Sequence, residues 1–351
     1  MSLRAVNMDP PCLAAAAFTS GHGHSLLSLL RGQQAIPPRR FSLSLSLCLS
    51  LSDMKVVVVS GRSTPRKDAV DLPEGATVAD LKKSYRPNVS VHRKSFKFQS
   101  ADPTVAAVSL SDDRKPLSAY GVASGAEVLY KDLGPQIGYR TVFIVEYAGP
   151  IAFMALYALR PSFIYGAEAA VKPLGDVQKL YVWLFLIHFF KREFETFFVH
   201  KFSRPTMPLS NLFKNSLYYW SFAAGMGYFL CHPNYTAPSH GLDKLAAVAW
   251  AVMELGNLAV HLQLGGMRKS DGDQDRKPPG GPLFSLVSCP NYTFEVMGWV
   301  FYSLGCNVLM SWFFTLVGFA QMTDWAIKKH RGYVKADAAW RRKKAIFPFV
   351  I

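Results

Sequence analysis

A succession of apolar stretches fills the second half of the chain and limits what it can fold into. They cover residues 139–159, 177–198, 215–231 and 243–264, and the stretch 292–327 is long enough for two linked segments. A helix needs roughly 20 apolar residues to cross a bilayer, so these stretches predict about six spans in a polytopic α-helical bundle. Half of the 351 residues are hydrophobic and only 18% are charged, and the apolar excess begins only after residue 139. The net charge of +15 sits in short segments beside the apolar runs, which fits a membrane surface and makes a nucleic-acid partner unexpected. Lys201, Arg204 and Lys214 fall in one loop, and Arg268, Lys269, Arg276 and Lys277 in another. Lys328, Lys329, Arg331, Arg341, Arg342, Lys343 and Lys344 fall in the tail. The alternate loops carry little beyond Arg160, Lys172 and Lys244. Because basic residues collect on the cytoplasmic side, both termini are expected in the cytosol.

Residues 54–132 have ordinary soluble composition. MKVVVVS reads as a β-branched strand, and a turn at Pro73–Gly75 leads to Thr77, a predicted N-cap for a helix with Val78 and Leu81 inward. SFKFQ alternates as a half-buried strand does, and LSDDRKPLSAYGVASGAEVLYKDL ends on another strand. This order resembles ubiquitin, so an N-terminal ubiquitin-like β-grasp domain is expected over 54–132, as a docking or regulatory module. Residues 1–53 carry the run SLSLSLCLSLS and few acids. They read as a disordered extension or a targeting peptide. The five cysteines, Cys12, Cys48, Cys231, Cys289 and Cys306, are scattered. Neither a disulfide framework nor a metal site is predicted from them.

Ionisable residues inside apolar spans cost about 2.5–3.5 kcal/mol each, so their positions are informative. In HFFKREFETFFVHKFS, His188, Arg192 and Glu195 share one helix face, flanked by Lys191; a surface ion pair at a span end is the plainer reading. In ELGNLAVHLQLGGMR, helical geometry brings Asn257, His261 and Arg268 onto one side, where Arg268 suits a phosphate. Interhelical hydrogen bonding by Asn257 and a solvated Arg268 would fit the same pattern. In SCPNYTFEVMGW, Asn291 and Glu295 lie four apart with Tyr292 beside them at a span start; Tyr292 also fits an interfacial anchor. Asn291 and Asn234 each open a glycosylation sequon, and Asn234 is on the side predicted to be lumenal. WAIKKHRGY places Lys329, His330 and Tyr333 together at a basic span end. No G-x-G-x-x-G, Walker, G-x-S-x-G or H-E-x-x-H motif occurs, so a nucleotide cofactor would have to be held by the bundle itself.

The blocks DLGPQIGYRTVFIVEYAGP, KREFETFFVHKFSRPTMPL, NLFKNSLYYWSFAA, SLVSCPNYTFEV, LVGFAQMTDWAIKKHRGY and FPFVI resemble, in order, the very-long-chain trans-2-enoyl-CoA reductases of the steroid 5-alpha-reductase family. The resemblance spans residues 133–351 as a membrane reductase domain. It implies NADPH, an acyl-CoA substrate, membrane lipid around the chain, other subunits of the fatty-acid elongation complex as partners, and the endoplasmic reticulum membrane. It assigns Tyr292 as proton donor and Glu146 as substrate-side acid. Asn257, His261, Arg268, Asn291, Glu295, His330 and Tyr333 are placed along the cofactor pocket, with Arg276 as a further phosphate contact. The sequence departs from the family at three places. Phe189 stands where the family usually has Tyr, Gly265 where relatives often carry Arg, and ADAAWRRKKAIFPF differs from the usual approach to the last block.

Overall fold

The computed structural model describes residues 12–13, 53–61, 64–100, 106–271 and 277–350. Most of the extension 1–53, and Arg276, lie outside the described residues. The chain divides into two compact units that meet in sequence between Asp132 and Leu133.

The N-terminal unit is a mixed sheet with one helix packed on it. Strands β1 (Met54–Ser60), β2 (Arg66–Leu72), β3 (Lys94–Phe98), β4 (Val108–Ser109) and β5 (Glu127–Asp132) lie in the order β2-β1-β5-β3-β4. β1 and β2 are antiparallel, with Met54 opposite Leu72, while β1 and β5 run parallel. Alternation in β1 sends Val56 and Val58 to the core face, where both are fully buried. Helix α1 (Val78–Ser84) starts at a capping box in which Thr77 and Asp80 exchange hydrogen bonds. It presents Val78 and Leu81 to Phe96, Leu117 and Val128. Lys94 is 2% exposed, and its ammonium donates to Lys82 O at 2.6 Å. Its methylene stem thus lies in the apolar interior while the charge meets a helix carbonyl.

The second unit is helical. Helix α2 spans Tyr139–Ala158, two short helices follow at α3 (Ser162–Tyr165) and α4 (Ala167–Val171), and α5 spans Asp176–Phe194. Then come α6 (Ser210–Leu230), α7 (Asp243–Gly266), α8 (Pro290–Cys306) and α9 (Leu309–Ala336). Six of these are long and occupy the stretches read as spans. Among the described residues, α2 and α7 alone reach the length and mean hydropathy, 1.5 each, of a bilayer-crossing helix. The stretch 292–327 divides at Asn307, whose φ of 49° ends α8 in the left-handed region that Asn tolerates.

Two glycines allow helices to approach closely. The Trp220 indole of α6 lies over Gly149 of α2 and donates to Val145 O at 3.1 Å. The Tyr181 hydroxyl of α5 lies against Gly305 of α8. Small residues at such crossings are how helices pack where lipid supplies no hydrophobic drive. The interior is aromatic, built on Tyr147, Phe185, Phe189, Trp250, Trp299 and Tyr302. Large apolar side chains also cover the outside, among them Trp183, Leu217, Leu245 and Phe198. An exterior of this kind belongs in lipid.

At one end of the bundle Arg160 is 3% exposed. It donates to Cys231 O (2.7 Å), Lys172 O (2.7 Å), Pro173 O (3.1 Å) and Gln178 Oε1 (3.1 Å). At the other end the tail returns to α8. Ser288 N donates to Lys344 O (2.8 Å), Cys289 N to Ala345 O (3.0 Å), and the Thr293 hydroxyl to Ile346 O.

Candidate active site

Helix α5 and the turn that continues it carry His188, Lys191, Arg192 and Glu195 at spacings of three and four, so all four point to one side. The helix widens into a π-helical turn over Glu195–Val199, a feature common at functional sites. The Arg192–Glu195 pair is buried, with Glu195 fully enclosed, and is no surface pair. Facing it, α7 supplies Glu254, Asn257 and His261, and α8 supplies Asn291 and Glu295.

These side chains form one network. His188 Nδ1 lies 2.8 Å from Glu254 Oε1, and its Nε2 lies 3.4 Å from Glu295 Oε1. Lys191 donates to Glu254 Oε2 and to Asn257 Oδ1, both at 2.7 Å. Asn257 Nδ2 donates to Asn291 O (2.9 Å) and Glu295 Oε2 (3.1 Å). Arg192 Nη1 donates to Glu195 Oε2 at 2.6 Å, and His261 Nδ1 lies 3.0 Å from the same oxygen. Arg192 Nη2 donates to the Tyr147 hydroxyl at 3.0 Å. Two cations and three carboxylates therefore sit within the bundle: Glu195 and Glu254 meet Lys191 or Arg192 directly, as buried ions require, while Glu295 is met by His188, Asn257 and Trp299.

Glu195, His200 and His261 have ligand atoms within 4.8 Å of one another, a donor set that zinc accepts. The guanidinium of Arg192 already occupies the Glu195 oxygen that faces His261. A dication there would meet that guanidinium, so the cluster is built as an ion-pair network.

The remaining predicted residues fall elsewhere. Tyr292, at the first turn of α8, is 6% exposed; Lys329 Nζ lies 5.3 Å from its ring centroid and the Trp325 ring 6.2 Å away. His330 Nδ1 lies 2.7 Å from Ser288 Oγ. Tyr333 packs on Trp340 with centroids 4.8 Å apart. Arg268 Nη1 donates to Lys201 O at 2.8 Å, so it is tied to the loop after α5. Glu146 of α2 is 2% exposed and accepts from Asn215 Nδ2 at 2.7 Å. The structure thus joins Asn257, His261, Asn291 and Glu295 in one network, sets Tyr292 and His330 near the base of α8, and puts Glu146 between α2 and α6. Asn291 is 4% exposed and closed to glycosylation, whereas Asn234 is exposed after α6.

The family model described as 3-oxo-5-alpha-steroid 4-dehydrogenase matches residues 205–351. A Trypanosoma brucei brucei protein, provisionally named an enoyl-CoA reductase, is 55% identical over 85% of this chain and 100% of its own length. A Dictyostelium discoideum very-long-chain enoyl-CoA reductase is 36% identical over 84% of this chain and 99% of its own. The chain belongs to the very-long-chain enoyl-CoA reductase family. A Caenorhabditis elegans relative, provisionally named a very-long-chain enoyl-CoA reductase, is 45% identical over 69% of this chain and 81% of its own.

For a member of this reductase family the sequence pattern left several network residues unselected. Glu254 was visible as an acid inside an apolar run, three residues before Asn257. Tyr147 and Asn215 gave no signal, because a tyrosine or an amide in a span is commonplace; only the fold brings them to Arg192 and Glu146.

Proposed function

We propose that this chain reduces the C2–C3 double bond of very-long-chain trans-2-enoyl-CoA with NADPH, the last step of the fatty-acid elongation cycle. It would act beside other subunits of that complex, in the endoplasmic reticulum membrane with both termini cytosolic. The names of its relatives support the reaction class. The observation that carries the reading is the enclosed polar network of α5, α7 and α8 within an otherwise aromatic bundle. A membrane bundle that holds five buried charges has a use for a polar ligand in its interior.

The residues present fit the cofactor. Asn291 Oδ1 is buried without a hydrogen-bond partner, an acceptor that a carboxamide N–H would satisfy. Asn257, His261, Arg268, Asn291, Glu295, His330 and Tyr333 are the residues proposed to hold NADPH. When bound, it supplies the hydride for the β-carbon. The chain's own task is then to stabilise the negative charge that develops on the thioester oxygen and to protonate the α-carbon. Tyr292 is assigned the proton, with the Lys329 ammonium over its ring favouring a phenol that gains negative charge. Glu146, steadied by Asn215, lies on the substrate side.

The sheet order β2-β1-β5-β3-β4, with one helix on the sheet, supports reading residues 54–132 as a ubiquitin-like docking module. Phe189, which lacks a hydroxyl, favours a second reading: a scaffold subunit without turnover. Microsomes expressing the chain, given a long-chain trans-2-enoyl-CoA and NADPH, separate the two. Saturated product, with Tyr292→Phe lowering its rate at least about 100-fold, supports the reductase. Product only after Phe189→Tyr supports the scaffold. Undiminished turnover in Tyr292→Phe removes that residue from the proton step.

A further inference from the structure

We propose that a basic cavity at the end of α9 binds the phosphorylated adenosine of the acyl-CoA substrate. The proposal rests on the reductase reading above and adds to it the place where the far end of the thioester is held.

The cavity has a volume of about 390 Å³ and is lined by His330, Arg331, Val334, Lys335 and Arg341. The first four come from α9, on adjoining stripes with a spacing of four. Arg341 comes from the short turn Ala338–Arg342 beyond the helix end. Trp340 anchors that turn: it is buried and packs on Tyr333 of α9. A cation in the last turn of a helix suits its dipole, which accounts for Lys335. It does not account for Arg341, which a separate turn carries to the same cavity.

The charges around this cavity are unspent. Among the described residues, Arg331, Lys335 and Arg341 have no side-chain hydrogen bond or ion pair. Their basic neighbours are engaged. Lys328 pairs with Asp324 at 2.6 Å, Lys329 lies over Tyr292, and Lys343 lies 3.6 Å from the Trp340 ring centroid. Asp337, between Lys335 and Arg341 in the chain, accepts from Ala339 N at 2.9 Å. Cations gathered around one cavity repel one another, and a polyanion between them relieves that repulsion. Guanidinium groups grip phosphate through paired N–H donors, and the half-buried Val334 offers apolar surface to a flat base. Coenzyme A presents these features at one end: a 3′-phosphate, a diphosphate and an adenine. The lining also leads toward the chemistry. His330 Nδ1 lies 2.7 Å from Ser288 Oγ, and Ser288 stands just ahead of α8, whose first turn carries Tyr292. A substrate gripped here starts its pantetheine arm at the end of the bundle that holds the proposed proton donor.

The test uses the full chain in neutral detergent with NADPH. It reads kcat and KM for two thioesters of the same long trans-2-enoyl chain, one on CoA and one on pantetheine, which lacks the nucleotide. Exposed ion pairs are individually weak, so Arg331→Gln, Lys335→Gln and Arg341→Gln should each raise KM for the CoA thioester about two- to fivefold, and the triple variant at least about tenfold. Because only ground-state binding is lost, kcat and KM for NADPH and for the pantetheine thioester should stay within about twofold of wild type. Added salt should raise KM for the CoA thioester more steeply in wild type than in the triple variant. An unchanged KM for the CoA thioester in the triple variant overturns the proposal, and so does an equal rise for both thioesters. A rise for NADPH in place of CoA assigns the cations to the cofactor, and an effect seen only with anionic lipid in the micelle assigns them to a headgroup; either result also overturns it. Calorimetric titration with free CoA separates this proposal from the reductase reading. A wild type without turnover that still binds CoA at least about tenfold more tightly than the triple variant loses the reductase reading and keeps the site. An active wild type with the same affinity for CoA as the triple variant loses the site alone.

Discussion

Replacing Lys191 with Met tests whether the buried network is balanced as its geometry implies. The ammonium makes two 2.7 Å hydrogen bonds, to Glu254 and Asn257, and lies 3.7 Å from Glu195. A hydrogen bond to a charged group contributes about 1.5–3 kcal/mol, so the two bonds together predict a loss of about 3–6 kcal/mol. The charge count leads to the same place. Lys191 and Arg192 already face three carboxylates, Glu195, Glu254 and Glu295, with His188 between the last two, and removing Lys191 leaves one fixed cation against all three. Removing one partner of a buried pair costs about 3–5 kcal/mol. For a unit of this size each kcal/mol moves the midpoint by about 2–4 °C, so Lys191→Met should melt roughly 6–20 °C below wild type. Thermal unfolding of the detergent-solubilised chain, followed by tryptophan fluorescence, measures this. Lys191→Met with Glu254→Gln removes the stranded charge as well and should regain at least about half of the loss. A single variant within about 2 °C of wild type, or a double variant that melts lower still, would refute the network as drawn.

Two further outcomes follow from geometry elsewhere. Gly149→Ala would place a methyl inside the Trp220 indole; it should lower stability by about 1–3 kcal/mol, with Trp220→Ala relieving part of the loss. His330 lies at the basic end of α9, where burial lowers its pKa below the ordinary histidine value. The folded state then binds its proton less readily than the unfolded chain, so stability is full above pH about 6.5 and falls as pH drops through the lowered value. Melting curves from pH 7.5 to 5 should show this slope in wild type and a flatter one in His330→Asn.

Much of the helical unit was legible because apolar length is written locally. The aromatic and glycine crossings were not, since Gly149 and Trp220 are 71 positions apart in the chain and neither announces the other. Hydropathy also understates α5 and α9. The first carries His188, Lys191, Arg192 and Glu193 and the second Asp324, Lys328 and Lys329, so the residues that make the site interesting dilute the signal that marks a span. The N-terminal cap at Thr77 was readable from residue type alone, and it is present. For the site, spacing exposed Asn257 with His261 and Asn291 with Glu295, because helical periodicity is a local rule. It could not show that Lys191 reaches Glu254, or that Arg192 reaches back to Tyr147, since those contacts join different helices. Nor could spacing show the Arg268 partner: its Nη1 donates to the Lys201 carbonyl, an acceptor in a distant loop.

The tail segment beside α8 serves as a sentinel for the proposed proton donor. Lys344, Ala345 and Ile346 supply the oxygens that engage Ser288, Cys289 and Thr293, and Tyr292 stands between the last two. Trimming by a carboxypeptidase should therefore stall while this fastening holds and proceed when the first turn of α8 loosens. The rate at which the last eight residues are clipped becomes a gauge of order around Tyr292, readable by mass spectrometry without any substrate.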